Sequence, residues 1–296
     1  MVKLKIGYLG PEAAGFGYQA ACSFVDIKKY PKSCLTPFKT HEEICQSVAR
    51  GKIVFGLLAI ENTVAGFVDE SLDSIAKWHT FESIRVIHEV AVDVDIKSYC
   101  VSGFKIENLK KVYSHSVGLT QCKKYIDSLR SVNPDIIIEA ALSTGDAAYK
   151  TSLDKESMAL TGPSAAKRYK LSLLEGQDII RSDYKSSTRF FVISKTSAEI
   201  DSKTDVSLFK TMLCFEMTQA EAGCLGRTLM FFANQNINMR VVHELRTPNR
   251  SWEYRFLVEL ECHMYEDRFL KAFEDFKKSG ISMAPPVIYG SYTKAV

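Results

Sequence analysis

Hydrophobic and polar positions along the chain follow two rhythms that alternate. Residues 3–10 alternate in polarity and then run apolar into Gly10-Pro11, which predicts a strand ending in a loop. Tyr18, Ala21, Cys22, Phe24 and Val25 follow at helical spacing. Residues 40–50 predict a helix with Thr40 as N-cap and Glu43 at the capping-box spacing. Residues 53–60 are an almost unbroken apolar run of strand length, the pattern of a strand covered on both faces. That run ends in Glu61-Asn62-Thr63, and helical spacing resumes over 71–78. Strand patterns return at 84–94, Val112-Tyr113, 134–141, 157–160 and 190–194. Between them, 117–129 is amphipathic, with Leu119, Cys122, Tyr125, Ile126 and Leu129 on one face; further helices start at Thr144 and after Gly162-Pro163.

Strand, polar loop and helix in repetition predict α/β architecture with parallel sheets. Ligands of such sheets bind beyond the carboxyl ends of the strands. The clusters to inspect are therefore residues 10–17, 61–66, 114–121 and Ser143-Thr144. The segment Ser186-Ser187-Thr188-Arg189-Phe190 differs, because it precedes its strand. To join the others, its strand must run opposite to them or its loop must cross between lobes. Residues 195–204 are polar and aperiodic, as in a linker. Beyond them the order changes: strand 206–217, helix 222–235, strand 239–245, a turn at 247–251 carrying Pro248, strand 252–262, helix 267–279 and strand 287–292. This βαββαβ order fits a ferredoxin-like unit.

Composition narrows the function class. The 296 residues, 46% hydrophobic, suffice for a large domain or two to three smaller ones. Net charge is +3, from 38 basic and 35 acidic side chains interspersed, which argues against a nucleic-acid partner. No apolar run has the length of a membrane span, and the first residues lack an export-signal pattern, so a cytoplasmic protein with no membrane partner is expected. Eight cysteines without a C-x-x-C pair read as buried thiols. No phosphate-loop signature or metal-ligand cluster stands out, and no cofactor is expected.

The loops offer Asn62, Thr63, Ser114, His115, Gln121, Ser143, Thr144 and Thr188 as neutral polar groups, and Arg189 as a fixed cation. Each has a plainer reading. Glu61-Asn62-Thr63, Ser114-His115 and Ser143-Thr144 can cap the helices that follow, and Arg189 can pair with Asp183. Together, they suit a small carboxylic acid that is held, and protonated at one point, without metal or organic cofactor.

Five stretches in order and spacing give this set a more specific reading. They are Tyr8-Leu9-Gly10-Pro11-Glu12; Ala59-Ile60-Glu61-Asn62-Thr63 with Gly66, Val68 and Asp73; Val112-Tyr113-Ser114-His115 with Leu119, Gln121 and Cys122; Ser143-Thr144 with Ala147-Ala148; and Thr188-Arg189-Phe190. With Trp252-Glu253-Tyr254 further on, the chain resembles the prephenate dehydratases that carry a C-terminal ACT regulatory domain. The resemblance implies a two-lobed catalytic domain over 1–200, built like periplasmic binding proteins. Lobe one would take about 1–80 with 178–200, and lobe two about 81–177. A ferredoxin-like ACT domain would occupy 205–296. The implied reaction is the loss of CO2 and water from prephenate to give phenylpyruvate, on the route to L-phenylalanine.

By the same resemblance Thr188 would assist departure of the hydroxyl and Arg189 would neutralise a carboxylate. Phe190, Glu61, Asn62, Thr63, Ser114, His115, Gln121, Ser143 and Thr144 would line the substrate site. Gly223, Cys224, Leu225 and Glu244 would form an effector site for an amino acid such as phenylalanine, in a homodimer or homotetramer. The sequence departs from the family pattern in places. The first loop, ending Ala13-Ala14-Gly15-Phe16-Gly17, lacks the usual hydroxyls. Ser186 stands where asparagine is usual, Ser116 and Ala59 replace prolines, and the E-S-R-P effector motif falls on His243-Glu244-Leu245-Arg246. These departures raise two alternatives: a non-aromatising prephenate decarboxylase, and a non-catalytic ligand sensor dimerised by its ACT domain.

Overall fold

The computed structural model describes all residues except 1–3, 12, 83, 175–185, 197–207, 218–221, 247–253 and 296. Glu12, Asp183, Pro248, Trp252-Glu253 and most of the expected linker therefore lie outside the described residues.

In chain order the elements are β1 (Ile6–Leu9), α1 (Gly15–Lys28), β2 (Leu35–Phe38), α2 (His41–Ala49), β3 (Phe55–Asn62), β4 (Gly66–Phe67), α3 (Asp69–Glu82), β5 (Arg85–Asp93) and β6 (Lys97–Cys100). They continue with β7 (Lys111–His115), α4 (Ser116–Gln121), α5 (Lys123–Val132), β8 (Ile137–Ala141), α6 (Thr144–Leu153), β9 (Ser157–Thr161), α7 (Pro163–Arg168), β10 (Ser172–Leu173) and β11 (Ser187–Ser194). The last block is β12 (Phe209–Glu216), α8 (Cys224–Ala233), β13 (Met239–Arg246), β14 (Tyr254–Leu260), α9 (Asp267–Lys278) and β15 (Val287–Thr293). The chain divides into two compact units: Met1–Ile44, Ile53–Val68 and Val90–Phe190 form one, and Cys45–Lys52, Asp69–Glu89 and Phe191–Val296 the other.

The first unit is two-lobed α/β, with a sheet in each lobe. In one lobe β1 lies between β2 and β3, parallel to both, and Phe24 of α1 packs edge-on against Phe55. In the other the order is β10-β6-β9-β7-β8, with β7 parallel to β8 and β9. Its core gathers Ile96, Val112, Cys122, Ile126, Met158 and Leu160, all nearly or fully buried. The helix expected over 117–129 breaks at Cys122, which closes α4 and opens α5. Thr40 caps α2 as its spacing predicts, its Oγ1 accepting the Glu43 N–H at 3.1 Å, while Glu43 accepts the Lys39 N–H at 3.1 Å. The start of β11 enters beside the carboxyl end of β3: Thr63 N–H donates to the Ser187 carbonyl and Ser187 N–H to Thr63 Oγ1, each at 3.1 Å. Thr188 thus reaches the same edge as the loops that follow the parallel strands.

In the second unit, β12, α8, β13, β14, α9 and β15 have the expected βαββαβ order, with strands in the order β13-β14-β12-β15 and antiparallel pairings within that set. This is the ferredoxin-like topology. Phe215, Phe232, Phe269 and Phe276 fill its core. Lys210 on β12 is 2% exposed and sits between two buried carboxylates, 2.5 Å from Glu89 and 3.5 Å from Glu259; an ammonium there is tolerated because it is paired. His243 and Arg255 reach α3, at Asp69 (2.9 Å) and Asp73 (2.5 Å). All eight cysteines are thiols, seven of them buried, and no helix among the described residues is long and apolar enough to cross a membrane.

Burial pushes the His41 imidazole, in the first turn of α2, down from 6.5 to about 4. The folded state then lacks a proton that the unfolded chain takes up below its own value near 6.5. The neutral ring costs nothing above pH 6.5; stability is lost as pH falls from there to about 4, by on the order of 3 kcal/mol. His41→Gln is expected to flatten this limb. Urea midpoints at pH 7 and 4.5 that fall equally in both proteins would remove His41 from the acid response.

Candidate active site

A cavity of about 320 Å3 opens in the first unit, at the edge where the loops meet. Its wall is mostly apolar, with Leu9, Ala59, Phe67, Val94, Val117 and Phe190 contributing. The polar side chains on it are those of Asn62, His115, Ser143, Thr144 and Thr188; among the described residues none of the lining groups is Lys, Arg, Asp or Glu.

Asn62, the last residue of β3, organises one wall. Its Oδ1 accepts the backbone N–H groups of Val64 (2.9 Å) and Ala65 (3.0 Å), folding the chain into a turn. That choice fixes the amide: Nδ2 must face the other way. There it donates to Ser186 Oγ at 2.9 Å and Thr188 Oγ1 at 3.0 Å. A hydroxyl whose oxygen already accepts a hydrogen bond has its own proton to give, and cooperative polarisation makes it a better donor. Thr188 lines the cavity.

Two helix N-termini form another part of the wall. α1 begins at Gly15 with Ala14 as N-cap, which offers no side-chain cap. Its first N–H groups lack intrahelical partners and carry the positive end of the helix dipole. Ala14, Gly15, Phe16 and Gly17 line the cavity, as do Ser143 and Thr144 at the start of α6. These ends come close because glycine allows it: a Cβ on Gly145 would stand 2.6 Å from Pro11 Cγ. The approach loop holds Ala13 at φ 54°, with its N–H donating to the Tyr8 hydroxyl at 3.0 Å. The wall thus carries the uncapped first turn of α1, whereas the start of α6 is capped by Ser143 and holds Asp146 in its first turn. Burial lowers the pKa of the lining residue His115, so its ring is neutral at neutral pH.

Of the other expected residues, some bond within the framework and some line the cavity. Arg189 does not line the cavity; its Nε and Nη2 both donate to Glu61 Oε2, at 3.1 and 2.8 Å. Thr63 bonds to the Ser187 backbone. Ser114 is buried and donates to the Leu160 carbonyl at 2.7 Å, tying β7 to β9. Gln121 is buried, with Nε2 donating to Ser186 Oγ at 2.8 Å. Ser143 caps α6, accepting the Asp146 N–H at 3.0 Å, and lines the cavity as well. Phe190 and Thr144 are buried parts of the wall. In the second unit, Gly223 starts α8 at φ 80°, Cys224 Sγ contacts Arg227 Nη2 at 3.2 Å, Leu225 packs on the core and Glu244 is exposed on β13 opposite Phe256. Sequence reasoning marked residues 10–17 as a cluster to inspect without naming the first turn of α1 within it, and it did not name the junction at Ser186 as part of the site. The glycines at 15 and 17, which let a helix start close to other backbone, were the available signal for the former.

A family model described as prephenate dehydratase matches residues 6–198. The bifunctional chorismate mutase/prephenate dehydratase of Aquifex aeolicus (strain VF5) is 29% identical over 295 residues, which cover 99% of this chain and 75% of that protein. The solved prephenate dehydratase of Arthrobacter aurescens in complex with L-Phe aligns with a TM-score of 0.81 at 22% identity, over 99% of this chain and 90% of that one. GqqA, described as a novel type of quorum quenching acylase, aligns with a TM-score of 0.77 at 20% identity, over 98% of both chains. At these identities the two structural likenesses speak for the fold.

Proposed function

The chain belongs to the prephenate dehydratase family, and on that premise we propose that the cavity of the first unit is where it converts prephenate to phenylpyruvate, with Thr188 assisting the departing hydroxyl. The enzyme is a carbon–oxygen lyase of aromatic amino acid biosynthesis. The ring carboxylate leaves as CO2, and the electron pair of the broken carbon–carbon bond enters the ring. The ring aromatises as the C–O bond breaks, and the departing hydroxide takes one proton to become water. Aromatisation supplies the driving force, so the protein has to bind a dianion and deliver that proton.

The observation that carries this reading is the Asn62 N–H held on Thr188 Oγ1 at 3.0 Å, at the cavity wall. It leaves the threonine proton as the donor available to the leaving oxygen. The resulting alkoxide would be met by the Asn62 N–H and reprotonated from solvent. The first turns of α1 and α6 are well suited to the carboxylates, since backbone N–H groups and the dipole favour anions. We assign Arg189 an aligning role, since its pair with Glu61 anchors the residue next to Thr188. Residues 1–200 would form the catalytic region, cytoplasmic and without cofactor, and residues 205–296 an ACT domain that pairs copies into dimers or tetramers. The start of α8 would be its phenylalanine site.

Incubation with prephenate is expected to give phenylpyruvate and CO2 in equal amounts, with turnover falling when phenylalanine is added. A non-aromatic product would instead support decarboxylation alone, and tight binding without turnover a sensor. Neither alternative is favoured by the family match.

A further inference from the structure

Ser186 precedes β11 by one residue and Thr188 by two. Its side chain is nearly buried, at 5% exposure, and meets two amides at once. Asn62 Nδ2 donates to its Oγ at 2.9 Å and Gln121 Nε2 donates to the same oxygen at 2.8 Å. Asn62 closes β3 in one lobe of the unit, whereas Gln121 closes α4, which follows β7 in the other. One hydroxyl oxygen thus joins both lobes, and both of its lone pairs are filled.

The two amides depend on it differently. Asn62 has its carbonyl oxygen fixed by two backbone N–H groups, and its two N–H bonds go to Ser186 and Thr188. Gln121 is fully buried and its Oε1 has no hydrogen-bond partner. Its contact with Ser186 is the one hydrogen bond its side chain makes among the described residues.

The geometry points to Ser186 as a positioning residue for the dehydration: its oxygen locks the Asn62 and Gln121 amides together and so holds the Asn62 N–H that orients Thr188. The inference rests on the role of Thr188 proposed above. Without the hydroxyl, two buried N–H donors lose their acceptor, a loss that buried groups relieve by moving. The Ser187 carbonyl, 3.4 Å from Asn62 Nδ2, is a ready alternative. An amide turned toward it leaves Thr188 Oγ1 and releases the threonine proton from its direction.

The test compares Ser186→Ala, Ser186→Cys and Ser186→Thr with the wild-type chain, using prephenate. The first two are expected to lower kcat about tenfold to a hundredfold, the scale of a misplaced reacting group, with KM changed less than about threefold. Ser186→Cys keeps the volume but accepts hydrogen bonds weakly, so it carries the test if Ser186→Ala does not fold. Ser186→Thr, which keeps the hydroxyl, is expected to recover most of the rate. In a Thr188→Ala background, Ser186→Ala should cost no further rate, because it acts through that hydroxyl. A merely structural serine would lower the melting temperature and leave kcat alone. Unchanged kcat in folded variants, a Thr variant as slow as Ala, or an undiminished loss in the Thr188→Ala background each overturns the positioning role. A wild-type chain that fails to turn over prephenate removes the underlying reading instead.

Discussion

Thr188→Ala is expected to lower kcat for prephenate by roughly two to four orders of magnitude, the usual worth of a positioned proton donor. KM should move little, because the proposed carboxylate contacts come from the first turns of α1 and α6, and these stay in place. The substitution removes Oγ1 and with it the acceptor for one N–H of Asn62. Stability should fall by about 1 kcal/mol, since the amide keeps its bonds to Ser186, Val64 and Ala65. The conservative variant separates chemistry from packing. Thr188→Ser retains the oxygen and should keep activity within about tenfold, losing only the rotamer restriction of the branched side chain. Full turnover in a folded Thr188→Ala protein would exclude the threonine as donor, whatever the product.

Much of this placement could be read from the residues in order. The apolar run at 53–60 predicted a covered strand, and β3 delivers Asn62 at its end. Thr40 and Glu43 marked the start of α2 because capping is a local bargain between a side chain and the next turn. The βαββαβ order of the second unit followed from periodicity alone. What escaped was decided by contacts distant in sequence. β2 was not marked by the polarity pattern; it carries Pro37 and stands as an edge strand beside β1. β6 and β10 are short, and their pairing with β9 and each other gives them their form. Arg189 sits beside Thr188 in every local view, and only the fold brings Glu61 to it from 128 positions away. Ser186, read from the sequence as a departure from a pattern, becomes a junction because Asn62 and Gln121 meet there. Hydroxyl and amide counts are legible in a sequence; which of them saturate one another is not.

Gly17→Ala is expected to cost about 3 kcal/mol or more and to lower kcat/KM together with stability. A methyl at this position points into the β1 backbone, inside van der Waals contact with the Leu9 carbonyl oxygen and 3.4 Å from its carbon. A flexible side chain could swing aside, but a strand carbonyl cannot, so α1 must shift away from β1. Overpacking of this kind commonly costs about 1–3 kcal/mol, and a rigid neighbour places it at the upper end. The same shift carries the first turn of α1, a wall of the cavity, away from Pro11 and the start of α6, so substrate binding suffers along with folding. Gly226→Ala supplies the opposite sign from the same chemistry. It lies within α8 with no atom of the described residues beyond its own helix turn within 4 Å of the added methyl, so it should gain about 0.5–1 kcal/mol from the helix preference of alanine over glycine. Urea midpoints at pH 7 and prephenate turnover measured on both variants decide the matter. A Gly17→Ala protein with the wild-type midpoint and full turnover would show that α1 does not lean on the Leu9 carbonyl. The wall proposed for the carboxylates would then need another origin.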